Sequence, residues 1–297
     1  MVSLMLRTCY YILKSLRPQQ WTKNLLIFAP LLFSQQLFVY TETLHTLAAF
    51  IVFCLISGSV YLLNDLIDLD NDKRHPLKCK RPLASGALSP RTAIISCIVL
   101  LCLCSLANHY LLNTGFLIIA TAYLGLQILY STILKHIVII DVFCIATGFV
   151  LRVVAGAEAI GVDFSTWLLF CTLLLALFLA LSKRRHELML LEDDAVHHRK
   201  ILHEYSSELL DHMIAIVTPC TLIAYMLYTI ADETVARFGT DALKYTVPFV
   251  LYGIFRYLYL IHQKNQGGSP EKVLLNDRPI LLTVICYGLT CALIVYW

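Results

Sequence analysis

Apolar positions in this 297-residue chain fall in long unbroken runs, without the period-two alternation of a half-buried strand. Runs of about 17 to 23 residues, long enough for a helix to cross the hydrocarbon core of a bilayer, lie near 24–40, 44–64, 92–108, 112–130, 137–157, 166–182, 212–231, 245–262 and 279–296. The pattern predicts an all-α, multi-pass membrane protein of nine transmembrane helices, the first of them interrupted by Pro30. Residues 1–20 differ. Leu4, Leu6, Tyr10, Tyr11 and Leu13, accompanied by Lys14 and Arg17, predict an amphipathic helix at the membrane interface. This stretch has neither the apolar core nor the small-residue cleavage site of a signal peptide, so it is expected to be retained. No linker or low-complexity segment interrupts the chain, which reads as one domain over 1–297. A faint four-span repeat shows in the charged ends of the second and sixth spans, and in YSTILKH and YLYLIHQK at the ends of the fourth and eighth.

Composition agrees with the pattern. Apolar residues make up 59% of the chain and charged residues 14%, with a mean hydropathy of +0.73. Soluble domains carry about 25% charged residues, so a water-soluble enzyme is excluded. A net charge of +3 is too mild to argue for nucleic acid as a partner. The 11 cysteines lie mostly inside apolar runs and form no CxxC pair or zinc spacing, which reads as packing.

The distribution of charge sharpens this. With the N-terminus on the cytoplasmic side and the C-terminus outside, 19 of the 23 lysines and arginines lie in cytoplasmic segments, the sidedness expected in a cell (inner or plasma) membrane. About 14 of the 20 acidic residues lie there too, mostly in two loops, 65–91 and 183–211. The positive-inside rule does not account for carboxylates, so this face reads as a polar site.

The strongest motif is Asn64-Asp65-Leu66-Ile67-Asp68-Leu69-Asp70-Asn71-Asp72 at the end of the second span. If the helix continues, Asp65, Asp68 and Asp72 share one face within about 60°, with Asn64 in the same i, i+4, i+8 series as Asp68 and Asp72, while Asp70 points away. Stacked carboxylates call for a cation, and oxygen-only ligands favour Mg²⁺ or Ca²⁺. The plainer alternative is a solvated helix end neutralised by Lys73 and Arg74. Downstream, Pro76 and Pro82 stop the helix and Gly86 permits a turn, so Lys78, Lys80 and Arg81 sit on a loop able to fold back over the carboxylates. Such cations with a metal would hold a diphosphate.

A second cluster, Ser182-Lys183-Arg184-Arg185-His186-Glu187, closes the sixth span. Lys183 and Arg185 lie about 160° apart on a helix, so at most two of the three cations reach one site, and Lys183 with Glu187 forms an i, i+4 pair. Anchoring to anionic lipid is the alternative. His197, His198 and His203, near Glu192, Asp193 and Asp194, read better as a solvated loop than as a metal site. Tyr130 and Lys135 close the fourth span; Asp141, Ile145, Gly148 and Arg152 form one stripe on the fifth. An arginine three turns deep points to function or to a buried ion pair. Arg256 has no obvious partner stripe, and Trp21 beside Lys23 and Asn24 suits an interfacial belt.

Taken together, N-D-x-x-D-x-x-x-D after the second span resembles the UbiA-type intramembrane prenyltransferase superfamily. RPQQWTKN (17–24), NDLIDLDNDKRHPLKCKRPLASG (64–86), YSTILKHIVIID with GFVLRVVAGA (130–157), SKRRHEL (182–188) and LLNDRP (274–279) are similar to its decaprenyl-phosphate phosphoribosyltransferase branch. The resemblance implies helices around a central cavity open to lipid, and Mg²⁺ held by Asp65 and Asp68 with Asn64 and Asp72. It implies two substrates, phosphoribosyl diphosphate and a polyprenyl phosphate, joined at the anomeric carbon with release of diphosphate. Lys78 and Arg81 are then expected on the diphosphate, Lys183 and Arg184 on the ribose 5-phosphate. Lys23, Lys135 and Arg152 are expected on the lipid phosphate, with Asn24, Tyr130, Asp141 and Glu187 also at the site. Aromatic prenyltransferases of the superfamily carry a second aspartate-rich motif after the sixth span; the cationic KRRHE here disfavours that activity. A lipid transporter or flippase would gather charge at the midplane instead.

Overall fold

The structure, a computed structural model, describes residues 2–75, 78–163, 165–192, 204–264, 267–268 and 270–297. Helices follow one another without a strand among the described residues: α1 (Val2–Ser15), α2 (Phe28–Phe33), α3 (Tyr40–Ile67), α4 (Leu69–Arg74), α5 (Pro90–Leu111), α6 (Thr114–Thr132) and α7 (Ile140–Ile160). They continue with α8 (Thr166–Glu192), α9 (Ser207–Ile230), α10 (Asp232–Phe238), α11 (Val247–Lys264), α12 (Pro270–Asn276) and α13 (Arg278–Tyr296).

Among the described residues seven helices, α3, α5 to α9 and α13, are long and apolar enough to cross a membrane, against the nine expected. The two others have physical reasons to differ. Residues 24–40 do not form one helix: Pro18–Ile27 is a 3₁₀ segment, α2 lasts six residues, and Gln35 turns at φ 61°. Asn24, Pro30, Ser34, Gln35 and Gln36 within the run disfavour a continuous apolar helix there. The eighth run does form a helix, α11, but Arg256, His262 and Lys264 dilute its hydropathy. On α5, by contrast, Ile94, Ile95, Ile98, Val99, Leu103 and Leu106 are all exposed, an apolar face suited to lipid.

The chain packs as two compact units. The first comprises Met1–Leu31, Gln36–Thr132 and Leu151–Val162, with Ile27, Val52, Phe53, Phe116, Tyr123 and Ala155 in its core. The second comprises Leu32–Gln35, Ile133–Val150 and Asp163–Trp297, around Val142, Phe178, Leu181, Leu210, Tyr257 and Ile261. Within the second unit Arg256 does have a partner. Its guanidinium grips Asp277 at 2.9 and 3.3 Å, and Asp277 caps α13 by accepting the Ile280 N–H. The Arg256 guanidinium holds the Asp277 carboxyl below its ordinary range.

Inside the first unit the 3₁₀ segment lies directly on α7. A Cβ at Gly156 would overlap the Ile27 carbonyl oxygen, so a residue without a side chain is what permits this approach. Gly156→Ala is therefore expected to destabilise the protein by about 1–3 kcal/mol, the range for overpacking. Gly125→Ala, where a Cβ meets nothing within 4 Å, is expected to be neutral. Thermal denaturation in detergent, followed by size-exclusion chromatography, separates the two.

Candidate active site

The carboxylate motif folds nearly as one helix. α3 ends at Ile67, Asp68 turns at φ −91°, ψ 9°, and α4 resumes. The hydrogen bonds Asp68 N–H to Asn64 C=O (2.9 Å) and Asp72 N–H to Asp68 C=O (2.8 Å) carry the ladder across the break. Asp65 and Asp72 are almost fully buried, at 1% and 3% exposure. Arg81 joins them: its Nη1 donates to Asp65 Oδ1 at 3.1 Å and also to Asp72 Oδ2. Asp68, between them, is half-buried, and Asp70 faces outward beside Lys73 at 3.4 Å. Asn64 is half-buried and its Oδ1 finds no hydrogen-bond partner among the described residues.

Arg81 reaches the carboxylates because its loop folds back. His75 is extended, Gly86 takes φ 76°, and the Leu88 N–H closes on the Pro82 carbonyl at 2.9 Å. Leu83 and Leu88 bury against Leu62 and Ala93, which fastens the loop to α3 and α5. Lys78 is half-buried at the start of a 3₁₀ turn, where its N–H donates to His75 Nδ1 at 3.3 Å; Pro76 lies outside the described residues.

A second arginine on Asp65 was not among the expected site residues. Arg17 Nη2 also donates to Asp65 Oδ1, and its guanidinium lies 4.8 Å from the Tyr61 ring. Arg17 sits at φ 52°, ψ 66°, a left-handed conformation that costs a non-glycine residue about 1–2 kcal/mol. Leu16, buried against Gly58, anchors the strained junction. The available signal was the Arg17-Pro18 step after an amphipathic helix, which by itself reads as an anchor. Lys14, Ser15, Arg17, Asp65, Lys80 and Arg81 together line a pocket of about 270 Å³.

Deeper in the first unit, Arg152 is 5% exposed. Its Nε donates to Asn24 Oδ1 and its Nη2 to the Tyr123 hydroxyl, both at 2.8 Å, and it lies 4.9 Å from the Tyr123 ring. Asn24 in turn donates to Ser57 Oγ at 3.1 Å and Cys54 Sγ at 3.2 Å. Sequence spacing grouped Arg152 with Asp141 on one face of α7. The two lie about 16 Å apart along the axis at 1.5 Å per residue, and they join different clusters.

Asp141 belongs to the second unit and is fully buried. It accepts the Tyr205 hydroxyl at 2.8 Å and lies 3.3 Å from Arg184 Nε. Tyr205 accepts the Ile139 N–H at 2.7 Å, and Ile139 is held at φ 70°, costly for a β-branched residue. Burial, then the bond to Asp141, raises the Tyr205 phenol above its usual range. Arg184 is 1% exposed and also binds Glu187 at 2.5 Å. The expected face-to-face pair Lys183–Glu187 is a looser contact of 4.0 Å, and Arg185 takes a third direction, to Asp211 at 2.5 and 3.3 Å. Of the three cations, Arg184 is thus committed to internal carboxylates, while Lys183 keeps 36% of its side chain exposed. His197, His198, His203, Asp193 and Asp194 lie outside the described residues. Lys23, Tyr130 and Lys135 are half-buried, in the 3₁₀ segment, at the end of α6 and in the turn Leu134–His136.

Among the described residues, no three histidine, cysteine, aspartate or glutamate side chains converge on one point. Mg²⁺ does not need such a cage, since it commonly takes one or two carboxylates and completes its shell with water and substrate phosphate. The oxygen-only donor set of Asn64, Asp65, Asp68 and Asp72, with Asn64 Oδ1 buried and unbonded, fits that requirement.

The chain is 30% identical over 295 residues to the decaprenyl-phosphate phosphoribosyltransferase of Mycolicibacterium smegmatis, covering 96% of this chain and 92% of that protein. Its likeness to the protein of the same name from Corynebacterium glutamicum is 31% over 292 residues, 96% and 86% of the two chains. The fold superposes on a UbiA homologue from Archaeoglobus fulgidus, solved with DMAPP and Mg²⁺, with a TM-score of 0.73 at 18% identity over 96% of this chain and 98% of that one. The profile of the UbiA prenyltransferase family matches residues 25–276. With seven membrane-length helices and no strand among the described residues, an aspartate-rich end to α3 and a match over this extent, the chain belongs to the UbiA prenyltransferase family and is an integral membrane transferase.

Proposed function

We propose that this transferase moves a 5-phosphoribosyl group from phosphoribosyl diphosphate to a polyprenyl phosphate, in the presence of Mg²⁺. The observation that carries the reading is the nearly full-length similarity to proteins named decaprenyl-phosphate phosphoribosyltransferase. The chemistry of the site residues supports it. Lys183, which keeps 36% of its side chain exposed at one end of the cationic segment 183–185, suits a phosphate-bearing substrate.

A lipid phosphate oxygen attacks the anomeric carbon. The new C–O bond forms as the bond to the diphosphate breaks, and the electron pair leaves with the diphosphate. A phosphate oxyanion is nucleophilic near neutral pH without a base, which agrees with a site rich in cations. Mg²⁺, when bound by Asp65 and Asp68 with Asn64 and Asp72, supplies charge for the leaving diphosphate. Lys78 and Arg81 are assigned to that diphosphate, Arg81 also fixing Asp65 against Asp72. Lys183 is assigned to the ribose 5-phosphate. Arg184, buried between Asp141 and Glu187, serves that cluster as its internal counter-ion. Lys23, Lys135 and Arg152 are assigned to the lipid phosphate, Asn24 orienting Arg152. The N-terminus is placed in the cytoplasm on the strength of the lysine and arginine asymmetry.

Purified protein incubated with phosphoribosyl diphosphate, a polyprenyl phosphate and Mg²⁺ is expected to form phosphoribosyl lipid, and EDTA to stop it. Absence of product, with an active relative as positive control, would rule the reaction out. Asp65→Asn and Asp68→Asn are each expected to lower turnover by about 100-fold or more, the scale of losing a partner of developing charge, without loss of folded protein. Near-normal rates would remove these carboxylates from the metal site. For orientation, a variant retaining Cys79 alone is expected to react with impermeant maleimide in inside-out vesicles and to stay unlabelled in right-side-out ones. The reverse pattern would invert the topology.

A further inference from the structure

We infer that Tyr205 and Asp141 are positioning residues for the cationic end of α8: neither reaches a substrate, and together they fix Arg184 and, through it, the places of Glu187 and Lys183. All five belong to the second compact unit. Their contacts form one chain. The Ile139 N–H donates to the Tyr205 hydroxyl at 2.7 Å, and that hydroxyl donates to Asp141 Oδ1 at 2.8 Å. Asp141 Oδ2 faces Arg184 Nε at 3.3 Å, Arg184 Nη1 donates to Glu187 Oε2 at 2.5 Å, and Glu187 Oε1 stands 4.0 Å from Lys183 Nζ. Exposure rises along the chain. Tyr205, Asp141 and Arg184 are at most 4% exposed, against 27% and 36% for the side chains of Glu187 and Lys183. The inner three are closed to a ligand and the outer two are open to one.

The inner groups are set strictly. The Tyr205 oxygen accepts one hydrogen bond and donates another, which fixes the direction of its proton. The accepted bond depends on Ile139 at φ 70°, and a backbone cost of that kind persists only where the surrounding structure over-determines it. With Oδ1 bonded to Tyr205, Asp141 turns Oδ2 toward Arg184, whose guanidinium is held by charge at Nε and by a hydrogen bond at Nη1. A buried ion pair adds little stability over apolar packing, but it does specify direction. Successive residues of a helix point about 100° apart, so pinning Arg184 also sets the direction in which Lys183 leaves α8. Arg185 ties the same turn to α9 through Asp211, and Arg184 ties it to α7. Because Arg184 precedes and Tyr205 follows the connection between α8 and α9, one carboxylate holds both ends of that connection. What Lys183 binds, the ribose 5-phosphate, rests on the transfer reaction above; its positioning from Asp141 rests on these contacts.

Steady-state transfer by the full chain in detergent with Mg²⁺, compared with Tyr205→Phe, which keeps the ring and removes the hydroxyl, tests the positioning. KM for phosphoribosyl diphosphate is expected to rise about tenfold, the scale of one lost hydrogen bond to a charged group. The kcat and the KM for the polyprenyl phosphate are expected to stay within about twofold of wild type. Lys183→Gln is expected to raise the same KM, and adding Tyr205→Phe to it to cost less than about twofold more, because the tyrosine acts through the lysine. An unchanged KM in Tyr205→Phe, an equal rise for both substrates, or effects that multiply in the double variant would overturn the proposal. Asp141→Asn keeps an acceptor for Tyr205 but removes the charge facing Arg184; it is expected to raise the same KM and carries the test should Tyr205→Phe fold poorly. Loss of folded protein in both would also overturn the proposal, since the cluster would then be a requirement of folding. Amide hydrogen exchange needs no substrate. Peptides covering 181–189 and 204–210 are expected to exchange about tenfold faster in Tyr205→Phe, and exchange at the wild-type rate would overturn the clamp. A wild-type protein that transfers nothing, with faster exchange in the variant, would end the transfer reading and leave the positioning. Normal transfer with unchanged KM and exchange in the variant would do the reverse.

Discussion

Asp65, Asp72 and Asp141 are each no more than 3% exposed, and a carboxylate taken out of water costs several kcal/mol unless a cation and good hydrogen bonds compensate it. Arg81 does this for Asp65 and Asp72 together and Arg17 reinforces it at Asp65, while at Asp141 Arg184 supplies the charge and Tyr205 bonds one oxygen, leaving Oδ2 without a hydrogen bond among the described residues. Much of the local architecture exists to deliver those cations. The fold-back of the 78–88 loop and the left-handed turn at Arg17 bring guanidinium donors to buried carboxylate oxygens, and the left-handed Ile139 offers its N–H to the Tyr205 hydroxyl that bonds Asp141.

The use of arginine follows from the same constraint. Arg81 serves two carboxylates from one Nη1, and Arg185 and Arg256 each bind a carboxylate through two nitrogens. A planar fork of fixed donors satisfies several acceptors at once, which a lysine ammonium does less well. Lysines stand where the charge is exposed, at Lys14 and Lys80, and half-buried at Lys183 beside Glu187.

Long apolar runs made most of the helices legible, because twenty consecutive apolar residues leave little alternative in a bilayer. The motif at 64–72 was legible for a similar reason: carboxylates abutting such a run demand compensation. The 24–40 run misled because hydropathy does not register the backbone consequence of Pro30, or the buried hydrogen bonds of Asn24. Arg17, Tyr205 and the Arg256–Asp277 pair were missed on other grounds. Each contact joins positions 21 or more residues apart, and helical periodicity speaks only to neighbours three or four positions away. Asp141 and Arg152 show the converse error. Spacing put them on one stripe, but a helix eleven residues longer at one point than another reaches different surroundings.

Lys14 and Arg17 stand upstream of residue 25, where the match to the UbiA family profile begins. A chain lacking its first 24 residues, or capped by a bulky fusion at its first residue, would retain its spans and its aspartates yet have lost or distorted the turn that brings a guanidinium to Asp65.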